Sequence, residues 1–157
     1  MTPKSIFAAV LVFLPIPALA QTFDASGVWT YTSENEVHPV ADDLVAIHVV
    51  QAYESFEPVS PDYPLPEATG RCFGAFLIRA GQASGSGYCH IVDTDGDMFI
   101  SEWIVEGLDA ERMITGSWSV IDGSGKYSGA SGSGTYRSGE DASGIFENEV
   151  TGEITLN

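Results

Sequence analysis

The sequence predicts an all-β protein, an eight-stranded antiparallel β-barrel. Short runs rich in Val, Ile, Thr, Tyr, Phe and Trp recur between clusters of Gly, Ser, Asp and Pro, and no stretch keeps a helical period. That pattern is the mark of many short strands joined by turns. Eight strands in one domain are enough to close a small barrel, and closure removes the exposed edges of an open sheet.

Taken in order, residues 1–20 read as a secretory signal peptide. Lys4 precedes an apolar run from Ile6 to Leu14, Pro15 and Pro17 break it, and Ala18-Leu19-Ala20 offers an A-x-A cleavage site. The run is too short to span a bilayer as a helix, which takes about 20 residues. The expectation is a secreted or periplasmic protein, not membrane-bound after cleavage, with a single barrel domain over residues 21–157.

The predicted strands are Val28–Ser33, Leu44–Phe56, Arg71–Ala80, Ser86–Asp93, Met98–Glu106, Met113–Ile121, Gly132–Arg137 and Ile145–Leu156. The second is the longest and is expected to bend or to be partly helical. Between it and the third, "EPVSPDYPLPE" carries four prolines and cannot be a central strand, so it reads as a stiff rim loop. Asp95-Gly96 suggests a two-residue turn between the fourth and fifth strands. The fifth strand is apolar on both faces and is expected to lie under another element. The last alternates cleanly, with Phe146, Val150, Ile154 and Leu156 against Glu147, Glu149, Glu153 and Thr155, giving a dry inside and a wet outside. Such strands, short and glycine-rich, do not suit an outer-membrane barrel with its outward apolar band.

The chain is strongly acidic: 22 Asp and Glu against six Lys and Arg, a net charge of −16 that loss of Lys4 deepens by one unit. That charge repels nucleic-acid phosphates and anionic lipid headgroups, so neither is an expected partner. Two cysteines, Cys72 and Cys89, are an even count outside the cytoplasm. A hairpin turning near Ala80 and Gly81 sets them opposite each other, within disulfide range.

Residues 123–136 read "GSGKYSGASGSGTY". A P-loop fails here because Tyr127 follows Lys126, and a dinucleotide fingerprint fails at Ser128. No cofactor is expected. The stretch is a corner between strands, with Tyr127 folding back to plug one barrel end.

This corner, within "GSWSVIDGSGKYSGASGSGTY" at 116–136, resembles the bacterial relatives of the allene oxide cyclase and dirigent barrels, as does "CHIVDTDGDMFISEW" at 89–103. The resemblance spans about residues 70–156. It implies an eight-stranded barrel with a partly apolar cavity, and relatives that are often homo-oligomers. It carries no catalytic residue across to this chain. "GVW" at 27–29 is similar to the G-x-W of calycin barrels, where the tryptophan closes the base; Trp29 reads equally well as plain core.

The expected function is therefore binding of a small apolar or aromatic molecule in a cavity lined by Phe76, Phe99, Trp103, Trp118, Phe146 and Asn148. Asn148 stands out as a polar residue on an apolar face, which must find a partner in the protein or in a ligand. Two alternatives remain open: a cyclase or isomerase that acts by positioning its substrate, and a non-catalytic interaction protein with a filled barrel. His48, His90 and Glu102 are the candidates for acid–base work. Asp93, Asp95 and Asp97 have the spacing of a loose calcium loop, but Met98 and Ile104 stand where an EF-hand needs Gly and Glu, and no metal is expected.

Overall fold

The computed structural model describes residues 19–64 and 67–157. Of the expected signal peptide, residues 1–18 lie outside the described residues. Ten strands follow: β1 (Gln21–Asp24), β2 (Gly27–Ser33), β3 (Glu36–Ala41), β4 (Leu44–Pro58), β5 (Thr69–Arg79), β6 (Gln82–Val92), β7 (Met98–Leu108), β8 (Ile114–Gly123), β9 (Ser131–Glu140) and β10 (Phe146–Leu156). One three-residue 3-10 turn, Gly125–Tyr127, interrupts them.

All pairings are antiparallel and the sheet closes on itself. β10 pairs with β9 on one side and with β1 and β2 on the other. β4 pairs with β2 and β3 on one side and β5 on the other. β1, β2 and β3 thus share one position in the wall, a single run broken at Ala25-Ser26 and at Glu34-Asn35. Counting that run once gives eight positions, the predicted barrel. The Asn35 side chain takes the place of a ladder partner at the second break, accepting from the Val50 N–H at 2.9 Å.

β1 and β3, only four and six residues long, escape the sequence reading. The other strands match in order, but several run longer than expected. β4 is strand throughout, neither helical nor broken, with a register shift opposite Thr30 and Tyr31. The β5–β6 turn is the tight Ala80-Gly81 pair, both at positive φ, the geometry of a primed hairpin turn. The β6–β7 turn is not two residues long. Asp93 N–H bonds to the Asp97 carbonyl at 3.0 Å, leaving a three-residue loop whose last member, Gly96, sits at φ +87°. Nor does β7 lie under another element: Met98 and Ile104 face outward and stay substantially exposed.

The polarity of the strands places one set of ends together, and this end is shut. Tyr127 is completely buried there and meets Phe99 at 5.6 Å between ring centroids. The proline-rich loop after β4 contributes Tyr63, buried against Phe56 at 4.8 Å. The Tyr127 hydroxyl donates to the Asp93 carboxylate at 2.9 Å, and the Lys126 ammonium reaches the same oxygen at 2.6 Å. Backbone N–H groups of Asp95 and Asp97 bond to its other oxygen. The glycine-rich corner is therefore latched to the β6–β7 turn through one nearly buried carboxylate.

Candidate functional site

Inside the barrel is a cavity of about 200 Å³. Eight-stranded barrels are ordinarily just wide enough for side chains to fill, so an open volume needs a cause. The cause is a row of residues across six neighbouring strands. Gly74 on β5 pairs with Gly87 on β6, Gly87 with Trp103 on β7, Trp103 with Trp118 on β8, Trp118 with Gly134 on β9, and Gly134 with Gly152 on β10. The Trp103 indole lies against Gly74 and Gly87, and the Trp118 indole against Gly134 and Gly152. A Cβ at Gly74 would sit 2.6 Å from Trp103 Cζ2, and one at Gly152 2.8 Å from Trp118 Cζ2. The indoles therefore pave the wall instead of crossing the lumen.

Across the cavity from them, by strand order, run β2, β4 and the start of β10. Their aromatic rings form a continuous ladder. Phe56 meets Trp29 at 4.7 Å, Trp29 meets Tyr53 at 5.3 Å, Tyr53 meets Tyr31 at 5.3 Å, and Tyr31 meets Phe146 at 5.4 Å. These offset, tilted contacts are the preferred geometry of aromatic pairs. Trp29 of the G-x-W is a rung of this ladder.

Among the described residues, no side chain lining the cavity carries a charge. Its polar groups include Asn35, Gln51, Ser101, Ser138, Asn148 and four tyrosine hydroxyls, and some of them are paired. The Tyr31 hydroxyl and Ser138 Oγ lie 3.1 Å apart, and Asn148 Nδ2 donates to the Tyr53 hydroxyl at 2.6 Å. Two buried polar atoms have no partner among the described residues: Asn148 Oδ1 and Trp103 Nε1. Burial pushes the Tyr53 phenol far up, with Tyr31 adding to the effect. Burial raises Tyr31 against the bond from Ser138, and raises Tyr136 with help from Glu106. All three phenols stay protonated at neutral pH.

The structure brings Phe76, Phe99, Trp103, Trp118, Phe146 and Asn148 to this one cavity wall. The sequence reading missed Tyr31, Tyr53, Tyr63, Tyr136 and Ser138 beside them. For all but Tyr63, which lies in the loop after β4, the signal was the alternation of strands β2, β4 and β9, which polar and aromatic residues blur.

The candidates for acid–base work are elsewhere. His48, His90 and Glu102 stand outside the cavity lining, at positions that alternate away from it. His48 lies 3.7 Å from Glu36, and His90 Nε2 lies 3.3 Å from Met98 Sδ. Asp93 and Asp95 hold the Lys126 ammonium, at 2.6 and 3.1 Å, while Asp97 accepts from the Lys126 backbone N–H at 3.2 Å. Among the described residues no group of three His, Cys, Asp or Glu is arranged to hold a metal ion.

Cys72 and Cys89 are bonded, at directly paired positions of β5 and β6 with Cα atoms 4.0 Å apart. Both face inward and line the cavity, so the bridge is a rung of the wall itself.

Fold and site together define a closed antiparallel β-barrel with an internal, uncharged, aromatic cavity. No protein-family model matches the chain, and no curated protein matches its sequence. Among solved structures it is similar to a protein of unknown function from the DUF3224 family of Shewanella oneidensis MR-1. The match has a TM-score of 0.55 at 15% identity and covers 84% of this chain and 96% of the other. That likeness establishes the barrel fold and extends no further.

Proposed function

We propose that this protein is a secreted or periplasmic barrel that binds a compact, neutral, largely apolar molecule in its cavity. The observation that carries the reading is the pair of indoles laid against four glycines, which keeps about 200 Å³ free where side chains would otherwise fill the barrel. Ligand sites are apolar clefts with a few placed polar groups, and this one is smaller than most. A dry apolar cavity of about 150 Å³ is known to admit benzene, so one substituted ring fits. A barrel packed solid for a purely structural role accords less well with that volume. A cyclase or isomerase of the kind the allene oxide cyclase resemblance implies would have to work by positioning and through the tyrosine hydroxyls of the wall, since among the described residues no His, Asp or Glu lines it.

Export is supported by the character of residues 1–20 and by the disulfide, which persists in oxidising compartments. Insertion into an outer membrane is disfavoured by the outward Glu147, Glu149 and Glu153 of β10 rather than by strand length, which reaches 11 residues on that strand.

The test is native mass spectrometry of the protein purified from its own compartment, together with titration by toluene read through tryptophan emission. A bound small molecule, or a saturable emission change, is expected. A bare protein whose emission ignores toluene and larger rings alike sinks the proposal.

A further inference from the structure

We infer that the outward face of β4, β5 and β6 is the contact through which two copies of this chain pair. Alternate residues over 44–52, 71–79 and 82–90 share that face, because directly paired residues of an antiparallel sheet lie on one side of it. None of these fifteen positions, five on each of three strands, is Asp or Glu, in a chain that has 22. Other strands differ: β10 presents Glu147, Glu149 and Glu153 outward, while β8 and β9 present serine and threonine. Phe73, Leu77 and Tyr88 are 51, 43 and 42% exposed on this face, and Ile104 of β7 extends it at 45%. Phe73 and Tyr88 are directly paired, with ring centroids 6.2 Å apart. Arg71 and Arg79 stand at the two ends of the β5 row, and no ion pair among the described residues involves either. Aromatic residues and arginine without carboxylates are the composition of an interface core, and a contiguous exposed apolar patch marks an interaction site.

Charge identifies the partner. Each copy has a net charge of −16. Two such chains repel wherever their carboxylates meet, so they approach most closely across a face that has none. The face is also self-complementary, as a two-fold contact requires. β5 presents Arg71, Phe73, Leu77 and Arg79 outward, and β7, on the far side of β6, presents Ile100, Glu102, Ile104 and Glu106. A two-fold axis along β6 lays β5 of each copy over β7 of the other. Arginines then approach glutamates, and Phe73 and Leu77 meet the isoleucines. Four strands at a spacing of about 4.8 Å, with about 27 Å along each, give a face of about 500 Å² per copy. The total of about 1,000 Å² is the lower bound of a specific interface. The dimer is therefore weak, with a Kd of about 10–100 μM.

The experiment is sedimentation equilibrium of the intact folded protein from about 5 to about 500 μM, in about 0.3 M NaCl to screen repulsion between the acidic copies. A monomer–dimer equilibrium is expected. Phe73→Glu puts a carboxylate on the face at an exposed position, so the fold should survive and the dimer should weaken at least tenfold. Leu77→Glu repeats the test at a second site if Phe73→Glu does not fold. Ile145→Glu adds the same charge at an exposed apolar position just before β10 and should leave the dimer unchanged. A chain that stays monomeric throughout overturns the inference and leaves the face to a different occupant. A dimer that ignores the substitutions on the face, or that Ile145→Glu weakens equally, overturns the placement of the contact. A trimer or open-ended growth overturns the two-fold arrangement.

Discussion

Trp103 and Trp118 stand directly opposite each other on β7 and β8, yet their indoles spread in opposite directions around the barrel, each onto a pair of glycines. The volume of the cavity depends on this divergence. Giving any of the four glycines a side chain would push an indole inward.

Gly87→Ala tests that dependence. Its Cβ would collide with the Trp103 ring and with the Phe73 carbonyl. Overpacking of this kind costs about 1–3 kcal/mol, and the backbone contact leaves little room to relax. The expected outcome is a lower denaturant midpoint together with loss of toluene binding. A variant as stable as the parent, with unchanged binding, would show that the indole is not held by that glycine.

The disulfide should contribute in proportion to the chain it closes. Cys72 and Cys89 are separated by 17 residues, and a loop of about that length is worth about 3 kcal/mol in the chain-entropy view. The double variant Cys72→Ala, Cys89→Ala should fold with the same circular dichroism but unfold at a lower denaturant concentration. The β5–β6 ladder around it is continuous, so the register should survive.

The latch at the closed end makes stability depend on pH. Burial works against the Asp93 carboxylate, but the bonds from Lys126, Tyr127 and the Asp95 N–H outweigh it and hold its pKa below the usual value. A depressed carboxylate stabilises the fold above its unfolded pKa, and that contribution is lost as pH falls through the folded value. Acid titration of unfolding free energy should therefore decline across the carboxylate range in the parent. Asp93→Asn should start lower and decline less. Parallel curves for the two proteins would rule out this origin.

Tyr127 separates the plug from the latch. Tyr127→Phe keeps the ring against Phe99 and removes one bond to Asp93, a loss of about 1.5–3 kcal/mol for a hydrogen bond to a charged group. Tyr127→Ala also empties a fully buried ring site, for which about 3–5 kcal/mol is usual. Chemical denaturation should rank the three proteins in that order. If Phe and Ala variants are equally unstable, the ring contributes nothing as a plug.

The barrel was readable where one face of a strand is dry and the other wet. β10 declares its inward residues by strict alternation, and the Cys72–Cys89 rung follows from counting outward from Ala80-Gly81. β3 was not readable, because it is six residues long with Pro39 inside it, which argues against a strand; its strand character comes from pairing to β4 alone. The outward apolar residues of β7 suggested a cover that is absent, since Met98 and Ile104 remain accessible. Inward alternation of β10 marked Phe146 and Asn148 as wall residues, but the reason that a cavity exists was not readable. That reason lies in the alignment of four glycines with two tryptophans over six strands, a relation between registers that no local window of sequence contains.

The seam of the cylinder is β10, which bonds to β1 and β2 on one flank and to its own predecessor on the other. Closure thus joins segments separated by more than a hundred residues, and such long-range pairing is slow to form. The ring cannot shut until β10 is in place, so the unclosed sheet, with two bare flanks, is the species most in need of protection from aggregation during folding.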